Sequence, residues 1–194
     1  MHHIYTTKAV IIKSIPIGEA NKYYFLLTED LGFIRATAQG VRLDKSKLKG
    51  HLQDFCMVSV SLVKGKDIWR ITSVETIESG DFLKNINKII AIKNVFSLLL
   101  RLLHGEEKNE SLFYSVESFY NFLLKNELSQ NNVKNLETIT VLRILYHLGY
   151  FKQSFDLSDF VKNDELSAEI LNLFESKKKN AISNINNALN ETHL

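Results

Sequence analysis

The chain has one cysteine, Cys56, in 194 residues. A single thiol excludes an intrachain disulfide, and it excludes a zinc site built from cysteines, which needs about four ligands at close spacing. Cys56 also begins an apolar stretch, where a lone thiol behaves as a small buried hydrophobe rather than as a nucleophile. We therefore expect a reducing, cytoplasmic location and no bound metal.

The sequence also lacks a long uninterrupted apolar run. Its most apolar window, residues 86–103, contains Lys88, Lys93 and Arg101, whereas a membrane-spanning helix needs about 20 mostly apolar residues. The first residues show neither a basic segment followed by an apolar run nor a small-residue cleavage site. These absences predict a protein without a signal peptide and with no membrane role.

The motifs of common enzymes are missing as well. Gly65-Lys66 lacks the upstream glycine and the following Ser or Thr of a phosphate-binding loop. None of the six histidines has a His or carboxylate partner at the i+4 spacing that binds a metal on a helix. No nucleophile, base and orienting residue are recognisable as a set. We therefore predict a non-enzymatic protein that uses no cofactor.

The positive charge is concentrated in one short stretch. Net charge is only +2, but residues 1–78 hold 11 cations against 8 acids, and residues 79–194 hold 13 against 14. Five of the cations lie between Arg35 and Lys49, where Asp44 is the single acid. The distribution of charge therefore says more about function than its total does.

The N-terminal part alternates between apolar and polar residues with the period of two that is typical of strands. The pattern predicts five strands, at residues 5–17, 21–28, 33–40, 57–63 and 68–77. Leu48 to Phe55 has the spacing of a brief helix between the third and fourth strands. This order predicts a small closed barrel of the OB type, because closure removes exposed strand edges. An SH3-like barrel is the competing architecture.

From Asp81 onward the apolar residues recur every three to four positions, which is typical of amphipathic helices. Helices are predicted from residue 81 to near Gly105, then at residues 111–123, 133–148, 165–174 and 181–189. The period changes near Ser79-Gly80. We therefore predict an α+β protein with an OB-fold domain at residues 1–79 and an all-helical domain at residues 80–194.

After the third strand the chain enters a basic loop, residues 41–49, without apolar alternation. We expect this loop to be mobile and to reach outward, because clustered cations pack poorly but displace counterions from phosphate. The alternative is a solvated charged surface, which is the usual role of a charge run. The cations of the third strand and the loop are Arg35, Arg42, Lys45, Lys47 and Lys49.

The barrel itself offers aromatic residues near further cations. Tyr23, Phe33 and Trp69 lie within two positions of Lys22, Arg35 and Arg70 in the sequence, and stacking platforms beside cations bind single-stranded nucleic acid. We therefore add Lys22 and Arg70 as candidate DNA contacts. The pattern leaves open which rings face solvent, since aromatic residues in strands are more often part of the core.

Several ordered motifs resemble the N-terminal domain of the RecO family of bacterial DNA repair proteins. They are Ile17–Glu19 (IGE), Leu27–Gly32 (LTEDLG), Ala38–Arg42 (AQGVR), Lys45–Leu48 (KSKL) and Leu52–Phe55 (LQDF). In the helical part, Leu142–Tyr150 (LRILYHLGY) is similar to the family's segment ending in Leu-Gly-Tyr.

The resemblance implies an OB-fold DNA-binding domain at residues 1–79 joined to a helical domain, and a recombination mediator that needs no nucleotide hydrolysis. The DNA contacts that it implies are the cations in or beside the matching motifs, Arg35, Arg42, Lys45, Lys47 and Lys49. Such a protein binds single- and double-stranded DNA, anneals complementary strands and helps load recombinase onto strands coated by single-strand-binding protein. The implied partners are RecR and the acidic, Phe-ended C-terminal tail of single-strand-binding protein. The alternative is an interaction adaptor whose helical domain docks a partner and whose barrel does not bind DNA.

Two features depart from the family. Many members follow the Leu-Gly-Tyr segment with a four-cysteine zinc module, but residues 151–164 contain no cysteine. Zinc is therefore not carried over to this chain. The chain is also shorter than those members by about the length of that module and its surrounding helices. This difference concerns any partner contact that uses the region, including the docking site for the tail of single-strand-binding protein.

Overall fold

The computed structural model describes residues 3–79, 85–150, 155–162 and 165–191. The chain divides into two compact units. The barrel unit comprises Met1–Gly80 and Leu103–Glu110, and the helical unit comprises Asp81–Leu102 and Ser111–Leu194. None of the helices in the described part of the chain combines the length and the apolar character needed to cross a membrane.

Five strands form the barrel, and their bounds lie close to those predicted. They are β1 (Ile4–Ile17), β2 (Asn21–Thr28), β3 (Gly32–Ala38), β4 (Met57–Lys64) and β5 (Trp69–Glu78). The strands pair in the order β1-β2-β3-β5-β4, and β1 closes the barrel by pairing with both β2 and β4. Only the β3–β5 pair is parallel. The predicted α+β architecture with an N-terminal OB-fold is confirmed.

A β-bulge in β1 reverses the direction of its side chains. Ile11 pairs with Leu26 and Lys13 pairs with Phe25, so Ile12 is the extra residue of the bulged strand. Ile11 belongs to the barrel core, whereas Lys13, two positions later, is exposed. The bulge therefore moves Lys13 to the outer surface, where simple alternation would have placed it inside.

Apolar side chains fill the interior of the barrel, as is usual for a barrel of this size. All five strands contribute to this core, and so does the chain between β3 and β4. The core residues are Ala9, Ile11, Tyr24, Leu26, Ile34, Ala36, Ala38, Val41, Leu52, Cys56, Val58, Val60, Leu62, Trp69 and Ile71.

The predicted helix between β3 and β4 is wrong, because residues 39–56 form turns. One helix-like hydrogen bond remains, from the Leu52 amide to the Leu48 carbonyl at 3.1 Å. The chain must then meet β1, since the Phe55 amide donates to the Ile11 carbonyl at 2.8 Å. An eight-residue segment gains little from helix formation, and burial of Leu52 in the core decides its path.

A short segment beyond the first helix belongs to the barrel unit. We call this segment, Leu103–Glu110, the strap. Gly32, at the start of β3, has a φ of +69°, and a Cβ placed on it would lie 2.1 Å from the Glu107 carbonyl oxygen. The periodicity of the sequence carries no sign of this close approach.

The helical unit is organised around its longest helix, α3. Its helices are α1 (Ile86–Leu102), α2 (Glu110–Lys125), α3 (Gln130–His147), α4 (Ser158–Lys162), α5 (Ala168–Phe174) and α6 (Lys178–Glu191), with a 3-10 turn at Phe155–Leu157. Helix α3 contacts α1, α4, α5 and α6. Ser129 caps its N-terminus, because the Ser129 hydroxyl accepts the Asn132 amide at 3.2 Å.

A buried arginine of α3 binds backbone carbonyls in α4 and just before α5. The Arg143 side chain is 1% exposed, and its Nε donates to the Phe160 carbonyl at 2.9 Å. Its Nη2 approaches the Glu165 carbonyl at 3.5 Å. A guanidinium carries five donors in a fixed plane, so a single side chain reaches a carbonyl of α4 and a carbonyl just before α5.

Alanine substitutions at Gly18 and Gly32 distinguish the cost of backbone strain from the cost of a steric clash. Both have positive φ, but a Cβ on Gly18 would meet nothing within 4 Å. We expect Gly18→Ala to lower the free energy of unfolding by about 1–2 kcal/mol, the cost of a left-handed alanine. Gly32→Ala should cost about 1–3 kcal/mol more, because the strap must also move. Urea unfolding of both variants measures the difference, and equal losses would show that the strap does not pack against Gly32.

Candidate nucleic-acid interface

Two aromatic rings lie side by side on the outside of β2. Tyr23 and Phe25 are half-buried, and their ring centroids are 5.2 Å apart at an interplanar angle of 61°. Tyr24 and Leu26, which alternate with them, belong to the barrel core. The outer side of β2 therefore presents two partly accessible aromatic surfaces.

Cations flank these rings on the neighbouring strands. Phe25 pairs with Lys13 on β1 and with Arg35 on β3, and directly opposed residues lie about 5 Å apart at Cβ. Tyr23 pairs with Thr37, which in turn pairs with Arg70 on β5. We call the set of Lys13, Tyr23, Phe25, Arg35 and Arg70 the barrel face.

The three cations of the barrel face are available to a ligand. The side chains of Lys13, Arg35 and Arg70 are exposed. None of these side chains makes a hydrogen bond or an ion pair with another residue that the structure describes. Cations beside partly open aromatic rings are the combination that binds single-stranded nucleic acid. Arg35 and Arg70 were predicted as site residues, and the structure brings them to one surface.

Two of the predicted stacking residues do not reach solvent. Trp69 is 3% exposed, and it points into the core where β5 pairs with Ala36 of β3. Phe33 is 5% exposed and stacks on Phe25 with a centroid distance of 6.3 Å. The sequence left open which rings face solvent, and the structure shows that these two are buried. Phe25, which the sequence analysis did not single out, lies on the barrel face instead.

Lys22 does not belong to the barrel face. It precedes Tyr23 in β2, so its side chain leaves the strand on the opposite side. It is half-buried, and its Nζ lies 3.4 Å from the Ser14 hydroxyl. Lys13 takes the place expected for Lys22. Alternation in the sequence gives no sign that Lys13 faces outward, because only the bulge at Ile12 turns it to the surface.

The basic loop, residues 41–49, is tied to the turn between β1 and β2. The Arg42 amide donates to the Ala20 carbonyl at 2.9 Å, and Arg42 Nη1 donates to the Gly18 carbonyl at 2.7 Å. Just before the loop, the Gly40 amide donates to Asn21 Oδ1 at 2.8 Å. Arg42 therefore holds the loop in place as well as carrying charge.

The loop and the turns after it fold onto the barrel. Val41 and Leu52 are buried in the barrel core, and His51 Nδ1 lies 2.8 Å from the Thr76 hydroxyl. Val41 therefore anchors the start of the loop in the barrel core, while Arg42, Lys45, Lys47 and Lys49 remain exposed. Beneath the loop, burial raises the pKa of Tyr24 well above its usual value, and the nearby Asp54 raises it further.

The last three lysines of the loop differ in their partners. Lys49 Nζ lies 2.8 Å from Asp44 Oδ1, and this hydrogen bond lowers the pKa of the Asp44 carboxyl. Lys45 and Lys47 are exposed and make no hydrogen bond or ion pair within the described part of the chain. Two loop cations are therefore free for an anionic ligand, and two are engaged within the protein.

A second candidate site lies entirely in the helical unit. A groove of about 350 Å³ is formed by side chains of α1, α3 and α6. Ile90 and Ile182, which are 47% and 42% exposed, provide apolar surface, and Lys134 and Lys178 provide positive charge. Burial raises the pKa of Glu137, the acid of the groove, although a hydrogen bond from Asn94 opposes this shift.

Metal binding has no structural basis in the parts of the chain that can be described. No group of three or more His, Cys, Asp or Glu side chains converges there.

Comparison with known proteins identifies the barrel. Residues 1–80 match the family described as Recombination protein O N terminal. A DNA repair protein RecO of Dehalococcoides mccartyi is 47% identical over 77 residues, which cover 40% of this chain and 30% of that protein. The RecO protein of Clostridium novyi is 33% identical over 149 residues, which cover 76% of this chain and 57% of that protein. The resemblance predicted from the motifs is confirmed.

These relatives are considerably longer than the region they share with this chain. The match to the Gloeothece citriformis RecO protein, 31% identical over 114 residues, covers 58% of this chain and 40% of that protein. The chain thus spans less than two thirds of the length of each relative. The 149-residue match also exceeds the 80 residues of the family domain, so similarity continues into the helical unit.

The different partners of Arg42 and Lys45 predict different effects on stability. Arg42→Met removes the hydrogen bond to Gly18, and we expect the free energy of unfolding to fall by about 1 kcal/mol. Lys45→Met removes the same charge from an unpartnered side chain, and the change should stay within about 0.5 kcal/mol. Urea unfolding tests both variants. Equal effects would mean that Arg42 does not anchor the loop.

Proposed function

We propose, from the premise that this chain belongs to the RecO family through residues 1–80, that it is a DNA-binding and strand-annealing mediator of recombinational repair. It would act on DNA coated by single-strand-binding protein, in the cytoplasm and without catalysing a reaction. The observation that carries this proposal is the barrel face, where Tyr23 and Phe25 lie between Lys13, Arg35 and Arg70.

The geometry supports two kinds of contact with DNA. Lys13, Arg35 and Arg70, together with Lys45 and Lys47 of the basic loop, neutralise phosphates and release counterions. Tyr23 and Phe25 stack on bases that are not paired. Single strands therefore use both kinds of contact, whereas a duplex uses the phosphate contacts alone. Neutralising phosphates also reduces the repulsion between two complementary strands, which favours annealing.

Salt dependence separates the two kinds of contact. If about four phosphates of a single strand are neutralised, the slope of log K against log salt should be near −3. Changing Lys13 and Arg35 to Ala should reduce the magnitude of that slope by about 1.4, and changing Lys45 and Lys47 to Ala should do the same. Fluorescence anisotropy with a labelled oligonucleotide at several salt concentrations gives the slopes.

Two further variants control this measurement. Tyr23→Leu should weaken binding of single strands by about 1–3 kcal/mol without changing the slope, because it removes stacking only. Changing Lys93 and Lys125 of the helical unit to Ala removes the same charge from two other exposed positions. If this control lowers the slope as much as the barrel variants do, general charge explains the binding and the barrel face does not.

The proposed partners are RecR and the acidic, Phe-ended tail of single-strand-binding protein. For RecR we propose an interaction and assign no surface. For the tail we propose the groove of α1, α3 and α6. Its cations Lys134 and Lys178 suit acidic residues, and its exposed apolar residues Ile90 and Ile182 suit a terminal phenylalanine.

Binding of a labelled tail peptide tests the groove. Changing Ile90 to Ser and Lys134 to Ala should weaken binding about tenfold, because one apolar contact and one ion pair are lost. The matched control changes Leu173 to Ser and Lys179 to Ala, an exposed apolar residue and an exposed cation outside the groove. A loss of affinity in the control but not in the groove variant would place the tail elsewhere.

The groove also favours the second candidate function, an interaction adaptor whose barrel does not bind DNA. The two candidates differ in one observable property. Tail binding by a protein without measurable affinity for oligonucleotides supports the adaptor, and salt-dependent oligonucleotide binding that requires Arg35 supports the mediator.

A further inference from the structure

A carboxylate of the strap occupies a site at one end of the barrel. Glu106 Oε1 accepts a hydrogen bond from Trp69 Nε1 at 2.9 Å, and Glu106 Oε2 lies 3.0 Å from Lys64 Nζ. The Lys64 ammonium also lies 5.1 Å from the centroid of the Trp69 ring. The two donors therefore converge on one anionic group from two neighbouring strand positions, since Lys64 pairs with Trp69.

The same two donors suit a phosphate. An indole N–H and an ammonium both donate to anionic oxygens, and neither group carries an acceptor that would repel them. The Trp69 ring is held rigidly in the barrel core, so its N–H has a fixed direction. Glu106 itself is on the surface, because its side chain remains 44% exposed.

Other contacts also join the strap to the barrel. Lys108 Nζ lies 3.5 Å from Asp30 Oδ1, and the Glu107 backbone packs closely against Gly32. These contacts still join the strap to the barrel when the Glu106 carboxylate leaves Lys64 and Trp69.

The position of the site connects it to the barrel face. Lys64 and Trp69 flank the turn between β4 and β5, which in OB-folds borders the surface that binds oligonucleotides. Arg70 follows Trp69 directly and pairs with Thr37 on the outer side of the sheet. Lys66, in the turn itself, is exposed. A strand lying along the barrel face toward this turn would meet Arg70 and then Lys64.

We propose that Lys64 and Trp69 form a phosphate-binding site for a nucleic-acid strand, and that Glu106 occupies this site in the free protein. Binding of the strand then exchanges a carboxylate for a phosphate, so Glu106 competes with DNA. This inference rests on the proposed function of the barrel as a DNA-binding domain. The Lys64–Trp69 site adds one phosphate contact to the barrel, and Glu106 adds a competitor from within the protein.

The test compares Glu106→Gln with Glu107→Gln in the full chain. Both variants remove one negative charge from the strap, but Glu107 lies outside the Lys64–Trp69 site. The amide oxygen that Glu106→Gln introduces can still accept the Trp69 N–H, so the strap contact is largely kept. With an oligo(dT) probe at low ionic strength, Glu106→Gln should bind about fivefold more tightly than Glu107→Gln, the upper range for one exposed ion pair. Its salt slope should be steeper by about 0.7, one additional phosphate.

A second substitution shows whether the gain uses the proposed donors. Adding Lys64→Ala to Glu106→Gln should abolish the gain in affinity. Adding Lys66→Ala to both Glu106→Gln and Glu107→Gln should leave the ratio of their two affinities unchanged. Equal affinities of Glu106→Gln and Glu107→Gln would overturn the competition, and a gain that survives Lys64→Ala would overturn the site. If the unsubstituted protein shows no salt-dependent binding of oligo(dT), the proposed function fails first, so the two failures are distinguishable.

Discussion

The bulge at Ile12 in β1 is the constraint on which the proposed interface depends. A closed barrel allows each strand residue only two directions, into the core or out to the surface, so one inserted residue exchanges the two sets. Lys13 faces outward beside Phe25 only because β1 contains this extra residue. Arg35 reaches the same ring from β3 through ordinary alternation. Strand register, rather than any local motif, therefore assembles cations around the aromatic pair.

The cations of the two candidate DNA-binding surfaces differ in whether another residue of the protein already binds them. Arg42 and Lys49 are engaged within the protein, Arg42 with the Gly18 carbonyl and Lys49 with Asp44. Lys64 is engaged as well, by Glu106 of the strap. Lys45, Lys47 and the cations of the barrel face remain open to a ligand. In the free protein, some positive charge is thus already satisfied internally, and a ligand must compete for it.

The sequence predicts the elements that depend on local pattern. Alternation located all five strands, and the helical period located five of the six described helices, because each signal lies within a few adjacent residues. The five-residue helix α4 was not predicted. The predicted helix at Leu48 to Phe55 failed because burial of Leu52 and pairing with β1 decide that path. The charges of the site were visible in the sequence, but their partners were not. Phe25 and Phe33 look alike in the sequence, and only the fold shows that Phe33 is buried.

The most direct test of the proposed interface is to identify the residues of the protein that contact the bases of a bound strand. Photocrosslinking to a single-stranded oligonucleotide that contains bromodeoxyuridine, followed by mass spectrometry of the digested protein, identifies side chains in contact with bases. We expect crosslinks at Tyr23 and Phe25, because these rings are the partly open aromatic groups among the cations of the barrel face. Crosslinks confined to the helical unit would contradict it.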